Sequence, residues 1–501
     1  MTSTTPTTPA APTTPAAPTT GKTAKTGKTA PADLLGASEA YWESDVLPVL
    51  ADYVRIPCLS PEFDYSWDAH GEIARAAALL KEWASLRAIA GMSVELSQLP
   101  GLTPVIIVDV PANRPSATSL PTLLYGHLDK QPPLGDWRPG LGPFEPVREG
   151  DKLFGRGTAD DGYSIFAALG AIEIAQKTHK THGRCITIIE ASEESGSPHL
   201  GPYLKALADR FGEAGPGLVI CLDSGAATYD RLWYTTSLRG LVVGTIRVKV
   251  LSEGIHSGAG GAVVPDSFRI LRELLSRIED EKTGEILLES CVAEIPPSRR
   301  AQAEALVAEL GAATLDHFPV TPGLRLANGV APVDQLLARA WSPSVAYVGI
   351  DGLPPIADAG NVLRPFTAAK IAMRIPPSAD SKAVSADLRR RILADPPEGA
   401  EVELLDLVPA NGFDAPDTAE WLAVATDEAS LAYFGAPGRG MGEGGTIPFL
   451  SELLASYPQA QFLVTGVLGP DSNAHGVNEM LHIPTAIRLT AAVAHVLTQV
   501  P

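Results

Sequence analysis

Cysteine is scarce in this chain. The four present, Cys58, Cys185, Cys221 and Cys291, lie far apart and form no CxxC pair, which excludes a zinc finger and, at 501 residues, a disulfide framework. Cys185 and Cys221 fall in apolar stretches that read as strands, so buried, reduced thiols and a cytoplasmic location are expected. Long apolar runs are also missing. No uncharged apolar segment reaches the roughly eighteen residues needed to cross a bilayer, and mean hydropathy is only +0.08. Basic charge is in deficit, with 39 Lys and Arg against 58 Asp and Glu. The net charge of −19 opposes partnership with nucleic acid or anionic lipid. Large side chains are absent from residues 1–30, which are almost entirely Thr, Pro, Ala, Gly and Lys; a disordered, solvated tail without the apolar core of a secretory signal is expected there.

What remains is an ordinary globular composition, 45% apolar, with length for two domains. From about Ala32 helical and strand patterns alternate. Residues 72–89 and 162–175 read as helices, and short apolar runs at Val105–Val110, Thr122–Tyr125, Cys185–Ile189 and Leu218–Leu222 read as strands. This alternation predicts an α/β domain with a mixed, mainly parallel sheet, whose ligands gather beyond the carboxyl ends of the strands. The pattern changes at Leu241–Val250, which alternates with period two. A helix over 266–279 and strands at 369–375 and 401–407 follow. The expected organisation is an α/β domain over 31–240 and 413–501, interrupted by an α+β insert over 241–412. A helix at 417–434, a strand at Gln461–Val464 and a helix from Pro484 complete it.

Acids and histidines cluster just after the predicted strands. His127, in Gly126-His127-Leu128-Asp129, offers an imidazole ligand that Asp129 could orient. Asp160 and Asp161 sit between glycines ahead of a helix; the pair could be an N-cap, but a carboxylate such as Asp160 can also bridge two cations. In Glu190-Ala191-Ser192-Glu193-Glu194 one of the two adjacent glutamates can ligate while the other serves as general base. Asp223 and the Asp471–His475 segment follow two further strands. Each cluster alone could be a solvated loop. Together they supply the nitrogen and oxygen ligands that borderline divalent metals prefer.

The ordered strings GHLD, GRGTADDG, EASEESGS, CLDSG, GIHSGAGG, GEGGTIP and DSNAHGVNE resemble the dinuclear metallopeptidases that include carnosinase, cytosolic nonspecific dipeptidase, glutamate carboxypeptidase and aminoacylase. The resemblance covers about residues 35–501 and is closest to the dipeptidase branch. It implies a zinc-peptidase-like domain with an inserted lid and dimerisation domain. Two divalent metal ions are implied per subunit, zinc first, with manganese or cobalt also accepted. His127, Asp160 and Asp223 would hold one ion; Asp160, Glu194 and His475 the other. Asp129 would orient His127, and Glu193 would be the general base. His256 would stabilise the oxyanion from the lid of a partner subunit, so a homodimer is implied. Arg374 would grip a substrate carboxylate, with Asn361, Glu443, Gly445 and Thr446 nearby. The implied activity is hydrolysis of dipeptides or short peptides bearing a free C-terminal carboxylate. An N-acyl amino acid deacylase or amidohydrolase, and a non-catalytic binding protein on the same fold, are the rivals. The chain departs from carnosinases at Pro409–Asp414, where their His-rich stretch is absent.

Overall fold

The computed structural model describes residues 31–114, 120–311, 320–327 and 331–501; the expected tail at 1–30 lies outside the described residues. A six-stranded sheet forms the centre, in the order Ser93–Ser97, Val105–Val110, Cys185–Glu190, Thr122–His127, Leu218–Cys221, Gln461–Val464. The last four strands are mutually parallel and the first two pair antiparallel, so the sheet is mixed and mainly parallel, as expected. Alternate residues of every strand but the edge strand Ser93–Ser97 feed two cores. Ile106, Val108, Leu124, Ile189 and Ile220 face one layer of helices, which includes Ser164–Lys177 and Ile483–Gln499. Ile107, Tyr125, Ile188 and Val219 face the other, formed by Leu200–Phe211 and Pro448–Ser456. Strands covered on both faces need apolar residues at every position, and this is why they appear as unbroken apolar runs.

A second, four-stranded antiparallel sheet runs Ser344–Asp351, Phe366–Ile375, Gly240–Lys249, Glu401–Ala410. Val242, Ile246 and Val248 point to one face, where Ile270, Leu274, Val384 and Leu388 of helices Ser267–Leu275 and Ser381–Leu393 cover them. Asp266 caps the first of these helices through the Arg269 N–H. The other face is left half-buried, which produces the period-two pattern of Gly240–Lys249.

Not all of the interval 241–412 joins this unit. Helices Pro297–Leu310 and Pro332–Trp341 pack through Ala303, Leu306, Leu336 and Leu337 onto Trp233 and Met441. Those two residues belong to a three-stranded sheet of Phe413–Asp414, Trp233–Leu238 and Arg439–Glu443 that flanks the main one. The apolar stripes of the two helices, not their position in the chain, decide where they dock.

Candidate dinuclear metal centre

The side chains expected to meet do so at the carboxyl edge of the parallel strands. His127 ends its strand, and the acids at 193, 194 and 223 follow the neighbouring strand ends by two to four residues. His127, Asp160 and Asp223 form one group, and Asp160, Glu194 and His475 a second. In each group ligand-type atoms lie within 4.8 Å of one another. Asp160 belongs to both: its Oδ1 is 3.3 Å from His127 Nε2 and its Oδ2 is 3.0 Å from His475 Nε2. Asp223 Oδ2 is 3.8 Å from His127 Nε2, and Glu194 Oε2 is 3.2 Å from His475 Nε2. Glu193 belongs to neither group, but its Oε2 lies 4.0 Å from His127 Nε2, beside them.

Asp129 does more than was expected of it. Its main-chain carbonyl, not its carboxylate, is nearest to His127 Nδ1, at 3.1 Å against 3.5 Å. The carboxylate oxygens accept the N–H groups of Glu193 and Glu194, at 3.1 and 3.0 Å, and so fix the turn that carries both acids. Glu190, the first of the three glutamates, points away from the cluster and accepts from Tyr125, Ser192 and Ser197.

Two further residues brace the site. Glu479 is fully buried and accepts the N–H groups of Gly157, Ala159 and Asp160, while Arg156 donates to its other oxygen at 2.7 Å. Arg156 also donates to the carbonyl of Gly476, next to His475. The loops that carry Asp160 and His475 are thereby tied together. Both residues lie within motif strings, but nothing in a string reveals which charges pair. Gln131 donates to Glu194 Oε2 at 2.7 Å, and Asp161 accepts the His127 N–H at 3.1 Å.

The electrostatics are those of a site built for cations. Burial, with Asp223 nearby, holds the Glu193 carboxyl well above the usual range, and burial pushes Asp223 up to about 7. For His475 burial is outweighed by Asp160 and Glu194, raising it to about 11. The acids of the site thus favour positive charge beside them, as the raised imidazoles show. His127 Nε2 and Glu194 Oε1 are buried and lack hydrogen-bond partners, as ligand atoms aimed at a metal would. The donor set, two imidazoles and three carboxylates, fits two divalent ions.

The remaining expected residues divide. His256 lies on a short ladder that pairs Ile255–His256 with Val362–Leu363, and Asn361 just precedes that ladder and accepts the Ser257 N–H; both residues are exposed. The His256 ring accepts the Gly258 N–H, and among the described residues none of its hydrogen bonds reaches the metal groups. Arg374 Nη1 donates to Thr446 Oγ1 at 2.6 Å, and that hydroxyl donates to the Arg239 carbonyl. Glu443 is turned inward against Gly225, two residues beyond Asp223, and Gly445 is exposed. The Glu443–Thr446 loop therefore leads from the metal groups to Arg374.

Among known proteins, the chain is 27% identical to the cysteinylglycine-S-conjugate dipeptidase of Corynebacterium striatum over 376 residues, 74% of this chain and 78% of the relative. In fold it is similar to the di-peptidase Dug1p of Saccharomyces cerevisiae (TM-score 0.77, 21% identity, 94% of this chain and 98% of the other). The metallo-carboxypeptidase Sso-CP2 of Sulfolobus solfataricus is also similar, with a TM-score of 0.75 and 20% identity over 91% of this chain and 99% of its own. The sequence profile of Peptidase family M20/M25/M40 matches residues 123–499. That interval runs from the strand before His127 to the last helix and takes in every residue of the two metal groups, so the chain is a hydrolase that belongs to peptidase family M20/M25/M40.

Proposed function

We propose that the protein hydrolyses dipeptides or short peptides with a free C-terminal carboxylate, using Glu193 as general base. The observation that carries this reading is the pair of three-residue groups sharing Asp160, with the spare carboxylate of Glu193 beside them. His127, Asp160 and Asp223 would hold one divalent ion and Asp160, Glu194 and His475 the other; zinc suits the set best, and manganese or cobalt is accepted by the same donors. Such ions supply Lewis acidity and make a water acidic enough to be deprotonated near neutral pH. Glu193 takes the proton of the attacking water and returns it to the departing amine.

Arg374 binds the substrate carboxylate through guanidinium positions that Thr446 leaves unused. The name of the 27% identical relative supports a dipeptide substrate. His256 acts as oxyanion donor from a second subunit, a reading supported by its exposed ring, which makes no hydrogen bond to the metal groups among the described residues. The lid strand Ser344–Asp351 forms one edge of its sheet and exposes Tyr347, Val348 and Ile350, which suits a homodimer joined through the lid. A cytoplasmic location is supported by four buried, unpaired cysteines, and among the described residues no helix is long and apolar enough to cross a membrane.

The test is a panel of dipeptides against N-acetyl amino acids, with zinc, manganese or cobalt added. Turnover of dipeptides is expected. Turnover of the acetylated set alone would replace the reading with a deacylase, and no turnover of either set with any metal would overturn both readings.

A further inference from the structure

Three arginines converge behind the Glu443–Thr446 loop. A carbon attached at Gly444 would lie 3.0 Å from Arg239 Nη2 and 3.6 Å from Arg339 Cγ, so both side chains close on that glycine. Arg374 stands beyond it, bonded to Thr446 two residues further on. Their donors are mostly unused. Arg239 donates through Nε to the Gly444 carbonyl and through Nη1 to Ser342 and Ser344, which leaves Nη2 free among the described residues. Arg374 uses Nη1 alone. Arg339 has neither a hydrogen bond nor an ion pair among the described residues, and its Nε is buried. Glu443 is within electrostatic reach of Arg339. Burial, then Arg374 and Arg339, bring the Arg239 guanidinium down to about 10, a sign of how poorly this charge is neutralised.

Half-buried cations without counter-ions are costly unless a ligand supplies them. A single C-terminal carboxylate on Arg374 would leave Arg239 and Arg339 without a ligand charge. We infer that the preferred substrates carry a second negative charge on their C-terminal residue, an aspartate or glutamate side chain, received between Arg339 and Arg239 Nη2. This specificity rests on the reading that Arg374 holds the α-carboxylate.

The experiment compares kcat/KM for Ala-Glu with Ala-Gln, and for Ala-Asp with Ala-Asn, pairs that differ in charge and hardly in shape. In the wild type the acidic member should be favoured by about tenfold or more, the discrimination expected when buried charged donors lose their partner. Arg339→Met should bring that ratio towards one, and Arg339→Lys, which keeps the charge, should retain part of it. Turnover of the amide peptides in both variants reports that they fold. A wild-type ratio near one, or a ratio that Arg339→Met leaves intact, overturns the charge preference while leaving the dipeptidase reading standing. Failure to cleave any of the four peptides overturns both.

Discussion

Arg156 and Glu479, 323 residues apart in the chain, form a fully buried ion pair at 2.7 Å beneath the metal groups. The pair joins the glycine-flanked loop of Asp160 to the loop of His475. It is a structural device with a catalytic consequence, because Asp160 is the one side chain that both metal groups share.

Glu479→Gln should therefore do two things at once. Leaving Arg156 buried opposite a neutral amide is expected to lower stability by about 3 kcal/mol or more, read from urea unfolding. Loosening the Asp160 loop should also weaken metal affinity by about ten- to a hundredfold, read by competition with a chelator. Unchanged affinity would show that the loop holds Asp160 without its clamp.

Glu193→Gln keeps the shape of the turn, since its N–H still reaches Asp129. The variant should bind metal as the wild type does and lose about 10²–10⁴ in kcat, the range attributed to general acid–base catalysis. Metal analysis alongside steady-state kinetics decides it, and a normal kcat would remove Glu193 as the base.

If His256 serves the active site of a second subunit, two dead variants should rescue one another. Mixing Glu193→Gln with His256→Ala and allowing exchange makes about half the dimers mixed, each with one intact site, so about a quarter of wild-type activity should return. A histidine acting within its own subunit would give no recovery.

Lys130 offers a pH signature outside the metal groups. Its buried ammonium donates to the carbonyls of Tyr53, Val54 and Ile56 at the end of helix Leu47–Val54. Burial brings its pKa from the ordinary 10.5 to about 8. Between these values the unfolded chain binds the extra proton, so stability should rise with pH across that window, by about 3 kcal/mol in all. Below pH 8 both states are protonated and the penalty is constant. Urea midpoints of wild type and Lys130→Met, measured from pH 7 to 11, should diverge with that sign. Parallel curves would contradict it.

Much of the fold could be read from the sequence because its strands are covered on both sides. Runs such as Cys185–Glu190 stop abruptly at polar, glycine-containing loops, and the acids after those stops are the ones that gather. What escaped reading depends on partners distant in the chain. The helix Pro332–Trp341 presents Leu336, Leu337 and Ala340, but nothing local says that their partners are Trp233 and Met441 rather than the lid sheet. Asp129 was legible as a neighbour of His127, whereas its two backbone partners, 64 and 65 residues on, were not. Arg339 reads as an ordinary helix cation until Gly444 is folded against it.

The distance along the chain from His127 and Asp160 to His475 and Glu479 has a consequence for synthesis. Asp160, His127 and both glutamates leave the ribosome long before the two residues that complete and brace the second metal group. A nascent chain therefore carries an unfinished centre until the ribosome has passed Glu479. The second group closes in one step, when the loop of His475 is made.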